Sequence, residues 1–173
     1  MTVDEGKAVQ PSAAWFLGVA RIVVGYMWFQ QTLWKLPPDW GGSGGLRYWV
    51  ELSGQYAVPW YRTFVNGVVL PHFSLFAPQV WLGETVIAAS LFFGIFGRVG
   101  GVLCALMSIN LYFANSKIPG EWYWAYVFLG LLGGIFATTH AGRHLGADRW
   151  IVPRLERLRE KRETLGRILL ALT

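Results

Sequence analysis

The stretch FSLFAPQVWLGETVIAASLFFGIF, Phe73 to Phe96, decides the fold class of this chain. Its 24 residues exceed the roughly 20 that a helix needs to cross a bilayer, and Glu84 is its single ionisable group. A charge in hydrocarbon costs at least about 2.5–3.5 kcal/mol, so a carboxyl kept there must face protein, a counter-charge or a watery cavity. Arg21 poses the same conflict within the apolar block Ala13 to Leu36. Two further blocks, Val99 to Ser116 and Trp122 to Thr139, lie near the lower limit of about 17 residues. Pro37-Pro38-Asp39, Pro71-His72, Gly97-Arg98, the Lys117 to Glu121 turn and His140 to Arg143 punctuate the blocks. Continuous runs, rather than alternating segments of about ten residues, predict an all-α integral membrane four-helix bundle and argue against a barrel.

Composition agrees with this. The chain is 54% hydrophobic with ten Trp, above the roughly 45–50% apolar content of soluble domains. No linker divides it, so residues 1–150 read as one four-span unit and residues 151–173 as its cytoplasmic tail. The first block is too long for a signal-peptide core, lacks a small-x-small cleavage site and follows acidic Asp4 and Glu5, so it is expected to stay in the mature protein.

The segment after the fourth block carries eight of the fifteen Lys and Arg residues, which predicts a cytoplasmic C-terminus. Four crossings then place the N-terminus and the Gly97-Arg98 turn inside and the long loop from Pro37 to His72 outside. In the tail, Ile151, Leu155, Leu158, Leu165, Leu169 and Leu172 form one apolar stripe, interrupted at Arg162. This is the pattern of a basic amphipathic helix lying on membrane lipid, with docking on a partner subunit as the other reading. The high pI therefore reads as membrane-surface charge, and no nucleic-acid partner is expected.

In the outer loop, Trp60 to Leu70 is too short to span and reads as interfacial or re-entrant. Trp40, Trp49, Trp60 and Tyr61 read most simply as an aromatic belt at headgroup level; a cap over the outer mouth of the bundle is the alternative.

Arg21, Gly25, Trp28, Thr32 and Lys35 recur at steps of four, three, four and three, which puts them on one helix face turned inward. Either Arg21, on the inner side of the midplane, or Lys35, on the outer side, reaches Glu84 by extending. Ser108 and Asn110 fall near the depth of Glu84, with Gln30 and Gln31 further out, which makes a polar layer in the outer half of the membrane. Two readings stay open. These groups only tie helices together, or they line a pocket for a quinone headgroup or a proton. The small-residue runs Gly130-x-x-x-Gly134 with Gly133, and Gly97-x-x-x-Gly101, predict close helix packing within the chain; they leave the oligomeric state open.

Several chemistries lack the residues they need. Cys104 is the single cysteine, which excludes an intrachain disulfide and a redox CxxC pair. His72 falls at the outer surface and His140 and His144 at the inner one, so no pair clamps a haem inside the membrane, and no metal site is expected. No phosphate-cradling loop appears, and no internal repeat suggests alternating access.

Three motifs carry a family resemblance. The first block reads Arg21-x3-Gly25-x3-Phe29-x5-Lys35, the second Gly83-Glu84-x9-Gly94-x-x-Gly97-Arg98, and the fourth ends Ala141-Gly142-Arg143-x-x-Gly146-Ala147-Asp148. In order and topology, over Ala13 to Trp150, these resemble the DoxX/DoxD family of small four-helix bacterial membrane proteins, which includes the DoxD-type subunit of thiosulfate:quinone oxidoreductase. Thr32 departs from the family's small residue, and the long outer loop is closer to the DoxD side. The resemblance implies a multi-pass protein of the bacterial cytoplasmic (inner) membrane that oxidises thiosulfate to tetrathionate and passes electrons to quinone, alongside other membrane or periplasmic subunits. Glu84, Arg21 and Lys35 are then the expected catalytic groups, and Asn110, Gln31 and Trp28 the expected quinone contacts. Arg47, Arg62 and Lys35 would attract the thiosulfate dianion. The rival expectation is a non-catalytic accessory subunit of a larger redox complex.

Overall fold

A computed structural model describes residues 11–173, and the expectations placed on Asp4, Glu5 and the N-terminus lie outside these residues. The described residues are all-α, with eight helices and no strand. The long apolar elements are α1 (Pro11–Leu33), α4 (Phe73–Phe93), α5 (Gly97–Asn115) and α6 (Tyr123–Thr138). Between α1 and α4 lie α2 (Leu46–Tyr56) and α3 (Pro59–Phe64), and the chain closes with α7 (Asp148–Lys161) and α8 (Glu163–Leu172). Helices α1, α4 and α5 are each long and apolar enough to cross a membrane, whereas α6 is apolar but shorter, at 16 residues.

Helix ends follow local chemistry. Gly94 closes α4 in the left-handed region, φ 66°, where glycine carries no Cβ penalty. Phe96 also has positive φ, so only a tight turn separates α4 from α5. The amides that open α5 are capped from far along the chain: Phe96 and Gly97 N–H donate to Asp148 Oδ1 and Oδ2, each at 2.8 Å. Burial pushes the Asp148 carboxyl above its ordinary pKa, and those two amide bonds partly oppose the rise.

Helix α1 lies along α4 and α6 along α5, with α4 meeting α5, while α1 and α6 touch at few points. Glycine sets the close approaches. A Cβ on Gly25 would sit 2.4 Å from the Phe92 amide nitrogen, and one on Gly133 would sit 2.7 Å from that of Ala105. Val24, Trp28, Ile87, Leu91, Cys104 and Phe136 fill the space between the four helices.

One expectation gains detail here and another is overturned. Trp60 to Leu70 is helical, as α3 running into a single π-helical turn at Val65–Val69. The tail is two helices and not one, because Arg162 adopts an extended backbone, φ −143° and ψ 83°. Helix α8 folds back so closely that a Cβ on Gly166 would meet the Arg159 backbone at 2.3 Å.

Candidate functional site

The expected inner face of α1 is the observed one. Arg21, Trp28, Thr32 and Lys35 are 0–4% exposed and Gly25 is buried, as the three-and-four spacing requires. Along α4 the matching buried positions include Ala77, Glu84, Ile87, Ala88 and Leu91.

Of the two candidate partners for Glu84, the structure selects Lys35. The Lys35 ammonium donates to both carboxylate oxygens, and both side chains are almost fully buried. Trp81, one turn before Glu84, donates from Nε1 to Thr32 O at 3.2 Å and so holds α4 against the C-terminal end of α1, two residues before Lys35 in the turn that follows.

Arg21 takes a different role. Its Nη1 donates to Leu91 O and to Phe92 O (3.3 Å), carbonyls at the C-terminal end of α4 that have no helical partner. Its Nε reaches Ala141 O at 3.2 Å and its Nη2 reaches His144 O and Leu145 O at 3.4 and 3.1 Å. Leu91 lies seven residues beyond Glu84, about 10 Å along the helix, which is why Arg21 does not serve both. One guanidinium thus fastens α1 to the C-terminal end of α4 and to the turn that follows α6.

At the opposite end the helices leave a cavity of about 420 Å³. Lys35 and Glu84 form part of its wall, Trp28 and Leu129 line it lower down, and Leu46 and Trp49 reach it from α2. Trp28 also donates from Nε1 to Cys104 Sγ at 3.2 Å, which keeps the chain's single thiol fully buried. Gln31 lines the cavity and accepts from Trp34 Nε1 at 3.1 Å.

A second polar group on the cavity wall was not foreseen. Ser53 Oγ donates to Asn115 Oδ1 (3.1 Å), Asn115 Nδ2 donates to Tyr126 OH (3.3 Å), and Tyr126 OH donates to Glu121 Oε2 (3.0 Å). Asn115, Tyr126 and Glu121 all line the cavity.

Asn110 is not among the lining residues. Its Oδ1 accepts from Tyr61 OH at 2.7 Å, so it joins α5 to α3. Matching depth to Glu84 does not bring Asn110 to the cavity, because helical phase decides which asparagine lines it. Cys104, Ser108, Leu111 and Asn115 follow steps of four, three and four, the rule that worked on α1, and Asn110 falls off that row.

The three basic groups expected to attract an anion are not equivalent. Lys35 is held by Glu84, Arg47 is exposed and pairs with Glu51 at 2.9 Å, and Arg62 is exposed with one contact to Gln55 O at 3.4 Å. Trp49 turns inward to the cavity, whereas Trp60 is exposed and packs edge-on against Phe113 at 5.0 Å.

No family model matches the chain, and neither does any curated protein or solved structure.

Proposed function

We propose that this chain is a four-span protein of the bacterial inner membrane, of the DoxX/DoxD kind, whose outer cavity binds the headgroup of a membrane quinone. In this reading it is the quinone-linked subunit of a thiosulfate-oxidising system. The observation that carries it is the buried Lys35–Glu84 pair in the wall of an otherwise largely apolar and aromatic cavity. Small-molecule sites usually occupy about 300–1,000 Å³ and combine apolar walls with a few convergent polar groups; this cavity meets both conditions.

Helix α6 carries the fourth crossing. Its 16 residues rise about 24 Å, a few ångströms short of the hydrocarbon core. Exposed Trp122, Tyr123 and Trp124 at its outer end suit the interface and shorten the span that must be apolar.

A bound quinone accepts two electrons and two protons, the electrons coming from two thiosulfates as they join into tetrathionate. The chain's part is to bind, orient and supply protons. Lys35 is an ammonium donor held against the wall by Glu84, and Glu84 keeps that charge paired when nothing else is near. Trp28 and Trp49 offer flat apolar surface to a ring. Tyr126, whose hydroxyl accepts from Asn115 and donates to Glu121 Oε2, places a second exchangeable proton on the α6 side.

Cys104 is buried and bonded to Trp28, so this chain presents no thiolate to sulfur. That observation favours a partner subunit for the sulfur step, and it is also what the accessory-subunit reading requires.

The test is thiosulfate-dependent quinone reduction by purified protein, alone and as extracted with its native partners, beside the Glu84→Gln variant. Activity that falls at least tenfold in the variant supports the reading; equal activity removes Glu84 from it. No activity in either preparation, together with stable co-migration with a cofactor-bearing complex, favours the accessory role.

A further inference from the structure

We infer that the cavity is loaded sideways, from the lipid, through the gap between α1 and α6, and that its ligand is an amphiphile whose hydrocarbon tail lies in that gap against Met27 and Leu129. The inference rests on reading the cavity as a quinone-headgroup site and adds the path and the tail to it.

The gap follows from how the helices are fastened. Arg21 ties α1 to the turn after α6 through Ala141, His144 and Leu145, and Gly18 approaches the same turn so closely that a Cβ would meet His144 O at 2.7 Å. Beyond that knot α1 follows α4 and α6 follows α5, and little joins α1 to α6. Two helices joined at one end and drawn toward different neighbours diverge at the other.

Exposure shows which side of the cavity is open. Met27, Gln31 and Trp34 line it from α1 at steps of four and three, one position before the buried row that ends at Thr32 and Lys35. They line the cavity and are still exposed, Met27 by 44%, so they form a lip and not a wall. Leu129 and Tyr126, three residues apart on α6 and half-buried, form the facing lip. The outer end is different: Leu46, on α2, is 6% exposed and covers it.

The opening therefore faces acyl chains. Met27 lies about 9 Å inside the end of α1 at Leu33, within the hydrocarbon if α1 spans. A dianion such as thiosulfate has no route through such a lip, because a charge in hydrocarbon is costly. A molecule with a polar ring and an apolar tail suits both regions at once.

The test uses the full chain in lipid nanodiscs and two probes: a dimethoxy-methylbenzoquinone without a side chain, and the same ring with a decyl chain. Calorimetric titration gives the affinity ratio of tailed to tailless probe, which cancels the headgroup contribution. Met27→Trp and Leu129→Trp narrow the gap from either lip, and both positions are at least partly exposed, so the fold tolerates them. Leu131→Trp, on the exposed face of α6 and not among the cavity-lining residues, corrects for partitioning of the tail into bilayer. Indole bulk in the gap forces the tail out or past it at a steric cost of about 1–3 kcal/mol, so the ratio is expected to fall about fivefold or more. That drop in both lip variants, with Leu131→Trp unchanged, supports the inference. An unchanged ratio in both, with the tailless ring still binding, overturns the inference and leaves the quinone site standing. Failure of both probes to bind the unaltered chain overturns the quinone reading and the inference with it.

Discussion

Lys35 and Glu84 stabilise the bundle only as a pair. Each charge gives up several kcal/mol of hydration on burial, and mutual attraction with both carboxylate oxygens engaged offsets that loss. Removing one partner leaves the other bare. Lys35→Met and Glu84→Leu are each expected to lower the unfolding free energy by about 3–5 kcal/mol, and the double replacement to restore most of it, as read by SDS titration of protein in mixed micelles. On the proposed reading quinone binding is lost in all three, which separates the pair's proposed chemical role from its structural one. The acid and its conflict with lipid were legible in the sequence, and so was the face on which Lys35 lies. The choice of Lys35 over Arg21 was not, because it depends on how far α1 slides along α4, a register that glycine contacts such as Gly25 on Phe92 fix only once both helices are built. His140 carries a pH dependence of its own. Burial first, then Arg143 and Arg98, hold its imidazole below the ordinary 6.5. The unfolded chain then takes up a proton that the folded chain resists, so stability falls as pH drops from about 6.5 toward the depressed folded value and is retained above it. Thermal unfolding midpoints should therefore decline between pH 7.5 and pH 5.5, and His140→Asn, which tolerates the positive φ at this position, should flatten that decline.

Helix pairs are set by which glycine faces which neighbour, and of the glycines that spacing singles out only some are at a contact. Gly130-x-x-x-Gly134 is the more conspicuous motif, yet a Cβ on Gly134 would meet nothing within 4 Å and one on Gly130 would make only ordinary contacts. Gly133 and Gly101 form the seam. A Cβ on Gly133 falls 2.8 Å from Gly101 O, and one on Gly101 falls 2.6 Å from the Ala137 nitrogen, all backbone atoms that cannot step aside. Gly133→Ala and Gly101→Ala should each force α5 and α6 apart and destabilise by about 1–3 kcal/mol or more. Gly134→Ala should be neutral or stabilising, by up to about 1 kcal/mol from helix propensity. The same SDS titration ranks the three, and an equal loss at Gly134 would contradict the seam. The lengths of α1, α4 and α5 were legible because lipid thickness dictates them, and the break at Arg162 was visible as an interruption of the apolar stripe. That α8 folds back was not, since the contact of Gly166 with Arg159 has no signature in periodicity. Nor was Asp148 legible as a helix cap, because its partners Phe96 and Gly97 lie about fifty residues earlier.

The two ends of the molecule differ in kind, and that difference makes its orientation testable. Eight of fifteen basic residues follow α6, at the end where Arg21 knots the helices, while the cavity lies at the other end beneath α2. Cytoplasmic flanks carry the excess of Lys and Arg, and anionic lipid of the inner leaflet attracts such a tail. On that charge rule the expected place of the cavity is the outer side, together with the exposed Arg47 and Arg62. Because Cys104 is the single cysteine and is buried, a thiol introduced elsewhere reports its own location with little background. Ser43, in the exposed turn before α2, and Thr164, exposed on α8, are suitable positions. In intact cells a membrane-impermeant maleimide should label Ser43→Cys, and should reach Thr164→Cys only after permeabilisation. The reversed pattern would turn the cavity toward the cytoplasm and rule out the proposed outer-side thiosulfate step. Labelling of both in intact cells would mean that the chain crosses an odd number of times, and α6 is the helix whose 16 residues make it the candidate to fail. In that case α6 would lie beside the membrane, the lip formed by Leu129 and Tyr126 would no longer face lipid, and a quinone would have no sideways route to Lys35 and Glu84.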